Sequence, residues 1–101
     1  MKLVIVTAVE FFHDDMLHIF KKAGVKTVSE SDIDGYKNIP TVLTASNWFA
    51  AEKGGIKSVM LFSFTNDEKI DVLFQLIKEY NTNLETNNPV KAIVLPVERF
   101  I

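Results

Sequence analysis

Two histidines, His13 and His18, sit among Glu10, Asp14 and Asp15. Imidazole and carboxylate are ligand types of a divalent-metal site. Their spacing works against a shared ion. Five residues at about 100° each set the two rings about 140° apart around a helix. His18 then shares a solvated face with Asp14, Asp15 and Lys22. No metal ligands are expected within one chain; only copies meeting at an interface would gather them. Other chemistry is thinner. Without cysteine, thiol catalysis, Cys-ligated zinc, iron–sulfur clusters and disulfides are excluded. There is no Gly-x-Ser-x-Gly, and neither histidine has a nucleophile near it in sequence. Gly54-Gly55 is a lone pair, better suited to turning the chain than to cradling phosphate. No enzyme is expected. Asn47-Trp48-Phe49 is the unusual segment, because it holds the only tryptophan. Loops carry function, and Trp is a favoured anchor at interfaces.

The elements that would hold these residues follow from hydrophobic spacing. Residues 2–8 read as a strand, with Leu3, Val4, Ile5 and Val6 aliphatic throughout. Residues 12–23 read as a helix through Phe12, Met16, Ile19, Phe20 and Ala23. Asp14 and Asp15 open it, Lys21 and Lys22 close it, and Gly24 is the expected residue just past its end. Residues 25–34 form a weaker strand, and a long connection runs over 36–54. Residues 56–64 alternate as a strong strand, with Val59, Leu61 and Ser63 on one side and Met60, Phe62 and Phe64 on the other. Thr65 to Glu68 reads as a capping box for a second helix carrying Ile70, Leu73, Phe74, Ile77 and Tyr80. A polar loop over 81–88 leads to a last strand over 90–97.

The order β-α-β-β-α-β is the split βαβ pattern of a ferredoxin-like α+β sandwich. One domain over 1–101 is expected, with a four-stranded antiparallel sheet and both helices on one face. The other face has no cover within the chain. It should alternate with polar residues if wet, yet Leu3 and Ile5 and Val4 and Val6 make both faces of the first strand apolar. Four strands at ~4.8 Å by about seven residues at ~3.3 Å give a face of roughly 440 Å². A bare apolar patch of that size marks an interaction surface, so a homo-oligomer is expected.

Charge and targeting narrow the setting. Eleven cations against thirteen anions give −2, and Arg99 is the only arginine. Nucleic-acid binding calls for a basic face, so no such partner is expected. The apolar run of the first strand ends in Glu10, Phe11, Phe12, His13 and Asp14 with no small-residue cleavage site. No stretch approaches the ~20 apolar residues of a membrane span. A cytoplasmic protein without direct membrane insertion is the expectation.

Several segments resemble the nitrogen regulatory P-II signalling family at matching spacing. These are Met1-Lys2-Leu3-Val4, Phe12-His13-Asp14-Asp15-Met16, Ala23-Gly24-Val25 and Ile33-Asp34-Gly35-Tyr36, then residues 67–77 and Lys91-Ala92-Ile93-Val94-Leu95-Pro96-Val97-Glu98. The resemblance implies a non-catalytic homotrimer whose sheets pack together at the centre. It implies adenine nucleotides, or another small effector, in clefts between subunits. It implies a loop, here 36–54, that docks onto a regulated transporter or enzyme, with Asn47, Trp48 and Phe49 as its contacts. Thr7, Gly35, Tyr36 and Lys91 would meet the effector. The related trimeric divalent-cation tolerance proteins share this fold and supply the alternative reading as a metal-binding trimer.

The chain departs from the family where phosphates would sit. The family's loop before the last strand is glycine-rich, so that backbone amides reach the anion. Here it is Asn81-Thr82-Asn83-Leu84-Glu85-Thr86-Asn87-Asn88-Pro89, with no glycine and a repelling Glu85. Asn38 stands where the family usually has arginine. No cofactor is expected, and ATP should bind weakly or not at all.

Overall fold

The computed structural model describes residues 1–36 and 55–101. Strand β1 (Lys2–Val9) leads through a 3-10 turn (Glu10–Phe12) into helix α1 (His13–Lys22). Strands β2 (Ser29–Gly35) and β3 (Ile56–Thr65), helix α2 (Asp67–Thr82) and strand β4 (Lys91–Pro96) follow. The four strands form one sheet in the order β2-β3-β1-β4. Each neighbouring pair is antiparallel. This is the ferredoxin-like α+β arrangement expected from the order of elements.

The core lies between the sheet and the two helices. On β1, Val4, Val6 and Ala8 are buried while Leu3, Ile5 and Thr7 are only partly covered. On β3, Val59, Leu61 and Ser63 are buried in the same register. Met16 and Phe20 from α1, and Ile70, Leu73 and Ile77 from α2, close over them. The Ser63 hydroxyl donates to the Thr27 carbonyl at 2.6 Å, so its burial leaves no orphaned polar atom.

Helix ends are set by local chemistry. At the end of α1 Gly24 takes φ +85°. The Gly24 amide donates to the Lys21 carbonyl and the Val25 amide to the Phe20 carbonyl, both at 3.0 Å. That pair of bonds is a Schellman motif, and the left-handed backbone it needs is cheap for glycine. The motif also corrects the expected start of the second strand. Val25 is used to end the helix and is buried in the core, so pairing begins only at Ser29.

Three other boundaries differ from expectation. Asn66, not Thr65, caps α2, with its side-chain oxygen accepting the Lys69 amide at 3.0 Å. Thr65 is still paired with Lys2 in the sheet, so the expected capping box cannot form. Helix α2 runs to Thr82, which puts Asn81 in the helix rather than in the loop. Asn81 then holds Val90 by both backbone groups, accepting from its amide at 2.9 Å and donating to its carbonyl at 2.8 Å. With Val90 paired to a side chain, β4 starts one residue later, at Lys91.

Among the described residues no helix covers the far face of the sheet, which is apolar across β4, β1 and β3 and carries Ser29 and Ser31 on β2. Register places Leu3, Ile5, Met60, Phe62, Phe64, Ile93 and Leu95 together on it. Phe64, Ile93 and Leu95 keep 45%, 53% and 45% of their surface exposed. Phe100 lies edge-on to Phe64 with ring centroids 5.4 Å apart. Ala92 and Val94 align with Val6 and Val4 and so belong to the helix side. No helix among the described residues is long and apolar enough to cross a membrane.

One polar tie joins the helices. The Tyr80 hydroxyl donates to the Asp15 carboxylate at 2.6 Å, and Phe12 meets the Tyr80 ring edge-on at 5.8 Å. Burial, then the hydrogen bond to Asp15, pushes the phenol up to about 12, so it stays a donor at neutral pH. A hydrogen bond to a charged but partly solvated acceptor contributes about 1 kcal/mol. Tyr80→Phe should therefore lower the melting temperature by roughly 4–8 °C with secondary structure unchanged, as read by circular dichroism.

Candidate functional site

The loops and strand ends at one edge of the sheet enclose a cavity of about 350 Å³. Its walls come from the last residues of β1 and β2, the first residues of β3 and β4, and the loop before β4. Thr7, Gly35, Tyr36 and Lys91 all line it, although they come from four separate segments. Thr7 and Lys91 sit directly opposite each other in the β1–β4 ladder. Gly35 sits opposite Ile56 at the end of the β2–β3 ladder, and Tyr36 follows it at the rim. The structure thus brings together every residue for which an effector contact was expected.

Other lining residues were not anticipated. Ser58 faces the cavity from β3, opposite Val9 on one side and Ile33 on the other. Asn87, Asn88 and Pro89 form the wall next to Lys91. Alternation along β3 puts Ser58 on the bare face with Met60, which was a usable signal. Nothing in the composition of Asn87-Asn88-Pro89 beyond its turn character pointed to a wall.

Three local contacts hold the cavity's shape. The Asn81 clasp on Val90 anchors the chain immediately before Lys91. The Asn88 amide donates to the Thr86 hydroxyl at 3.0 Å within the same loop. At the other side, Gly55 lies against Gly35 so closely that a Cβ there would collide with the Gly35 carbonyl oxygen. Glycine is required for that contact between the two ends of the 36–54 segment. Asn47, Trp48 and Phe49 lie outside the described residues.

The cavity's electrostatics are simple. Among the described residues that line it, Lys91 is the one charged group and none is a carboxylate. Among the described residues Lys91 makes no ion pair. Thr7, Ser58, Asn87 and Asn88 supply neutral polar groups, and Val9, Ile33, Ile56 and Pro89 supply apolar wall. Such a site can bind and orient a ligand. Its described lining residues include no histidine and no carboxylate.

The histidines are elsewhere. His13 at the start of α1 reaches the β2 edge, where its Nε2 lies 2.9 Å and 2.8 Å from the two oxygens of Glu30. Its Nδ1 is 3.0 Å from Asp14. Glu30, then Asp14, raise its pKa above the usual imidazole value against a smaller opposing effect of burial. Glu10, Phe11, Asp32 and Val59 complete a shallow cleft around it. His18 is exposed on α1. Among the described residues no group of three or more His, Cys, Asp or Glu could hold a metal ion.

No protein-family profile matches the chain, and no curated protein matches it. Its fold is similar to a crystal structure from Thermus thermophilus of a protein described as PII-like signalling. The two superpose with a TM-score of 0.61 over 93% of this chain and 83% of the other, at 19% identity. At that identity the likeness is one of fold.

The His13–Glu30 pair ties α1 to the edge strand and makes stability depend on pH. The folded state favours charged His13, so its contribution is complete below the ordinary value of 6.5. It is lost as pH rises through the raised value of the folded chain. Urea denaturation from pH 5 to 9 should show this loss. Glu30→Gln should flatten it, and an unchanged slope in that variant would mean the pair does not form in solution.

Proposed function

We propose that this chain is a non-catalytic, PII-like signalling protein. It binds a small effector in the cavity at the sheet edge and regulates a target protein through the 36–54 segment. The observation that carries this reading is the convergence of Thr7, Gly35, Tyr36 and Lys91 on one cavity. The same cavity is walled by Tyr36 and Ile56, which flank that segment. An occupant would therefore touch the base of the segment that meets the target. The polar but unreactive lining supports binding over catalysis, and the similarity in fold to a protein described as PII-like signalling is consistent with it. Trp48 and Phe49 would be the apolar anchors on a transporter or enzyme.

The reading includes a trimer. An uncovered apolar face is a liability for a free monomer, and burying it against two copies would remove it. It would also bring a neighbouring subunit towards the cavity, which opens at the margin of that face. Light scattering at micromolar concentration should give three times the 11.4 kDa chain mass. Ile5→Asp puts a charge at the middle of the bare face, opposite Phe62 and Ile93, and should dissociate or unfold the assembly. Ile93→Asp, at an exposed edge position, should give a folded species of lower mass. A stable wild-type monomer would contradict the assembly.

A further inference from the structure

We infer that the cavity takes an elongated organic monoanion, a monocarboxylate with an apolar body, rather than a polyphosphate. This rests on the reading of the cavity as an effector site. Charge and polarity are distributed unevenly across the sheet. Lys91 is on β4 and Thr7 on the adjacent β1, directly opposite it. Asn87 and Asn88 stand on the same side, in the loop that leads into β4. Moving across the sheet order, β3 contributes Ser58 and Ile56, and β2 contributes Ile33 and Gly35 with Tyr36 beyond. One end of the cavity therefore holds the ammonium, a hydroxyl and two amides. The other end is apolar and finishes at an aromatic ring.

A ligand lying between these two ends carries its charge at one of them and an apolar body at the other. One ammonium compensates one negative charge. A triphosphate brings three or four to a site with a single cation among its described lining residues, on a chain whose own net charge is −2. Uncompensated charge in a partly enclosed site is costly. Main-chain amides could replace cations only where glycines let the backbone close on the anion. Residues 81–89 contain none, and the Asn81 clasp holds the end of that loop in place. The volume of about 350 Å³ is at the small end for ligand sites, in keeping with an acid of few atoms.

The test is amide chemical-shift titration of the full chain with four probes: 3-phenylpropanoate, hexanoate, 3-phenylpropanamide and ATP. The two carboxylates should saturate and shift Thr7, Gly35, Tyr36 and Lys91. The neutral amide should bind about tenfold more weakly, as expected for losing a charge-assisted hydrogen bond at an open site. Lys91→Met should weaken the carboxylates by a similar factor and leave the neutral amide unaffected. Tyr36→Ala should weaken phenylpropanoate while keeping its preference over the amide. ATP should produce no saturating shift at these residues. If ATP saturates the same amides more tightly than the carboxylates, or if acid and amide bind equally, the monoanion inference fails while the effector reading stands. If no probe shifts any cavity residue, both are overturned.

Discussion

The fold depends on an imbalance between a sheet whose three strands β4, β1 and β3 are apolar on both faces and two helices that cover only one face. Along β1, the buried series Val4, Val6 and Ala8 faces α1 and α2, and the alternate series begins Leu3 and Ile5. The covered face resolves like an ordinary core, with Phe20, Met16, Leu61 and Leu73 fully enclosed. The uncovered face keeps Phe64, Ile93 and Leu95 in contact with solvent. Full burial of a side chain of this size contributes about 1.5–3 kcal/mol, of which residues left about half exposed forgo roughly half. Cover must then come from outside the described part of the chain, and on the proposed reading identical copies would supply it.

The cavity belongs to the same constraint. It lies where the bare face ends and the loops begin, so its wall mixes ladder residues such as Thr7 and Ser58 with loop residues such as Asn88. Strand register fixes the first group, and the Asn81 clasp and the Gly35–Gly55 contact fix the second. Position and rigidity suit recognition. Gly35 and Ile56, which flank the 36–54 segment, are themselves wall residues, so on the proposed reading an occupant would touch that segment's base.

Much of this was legible in the chain. Alternation in residues 2–8 and 56–64 and the helical spacing of Met16, Phe20, Ile70, Leu73 and Ile77 fix the sheet, the helices and their packing faces. Ala23-Gly24 marked the end of α1. Boundaries were harder, because adjacent residues compete for the same role. Thr65 and Asn66 are both good caps, and the ladder to Lys2 decided for Asn66. Val25 suits a strand by propensity, and the Schellman motif took it instead. The His13–Glu30 pair joins residues 17 apart across two elements and has no local signature. The cavity's expected corners came from resemblance to the P-II pattern, whereas the Asn87-Asn88-Pro89 wall required the fold itself.

The central claim is that the uncovered face of the sheet is buried between copies of this chain. Hydroxyl-radical footprinting of phenylalanines tests it within one sample. Phe11 is 88% exposed and lies off the bare face, so it serves as the reactive reference, while Phe64 and Phe100 report on the face. At micromolar concentration Phe11 should be modified several-fold faster, relative to exposure in the single chain, than Phe64 and Phe100. Dilution into the dissociating range should raise only the latter two. Modification of Phe64 and Phe100 in proportion to their single-chain exposure at every concentration would contradict the account.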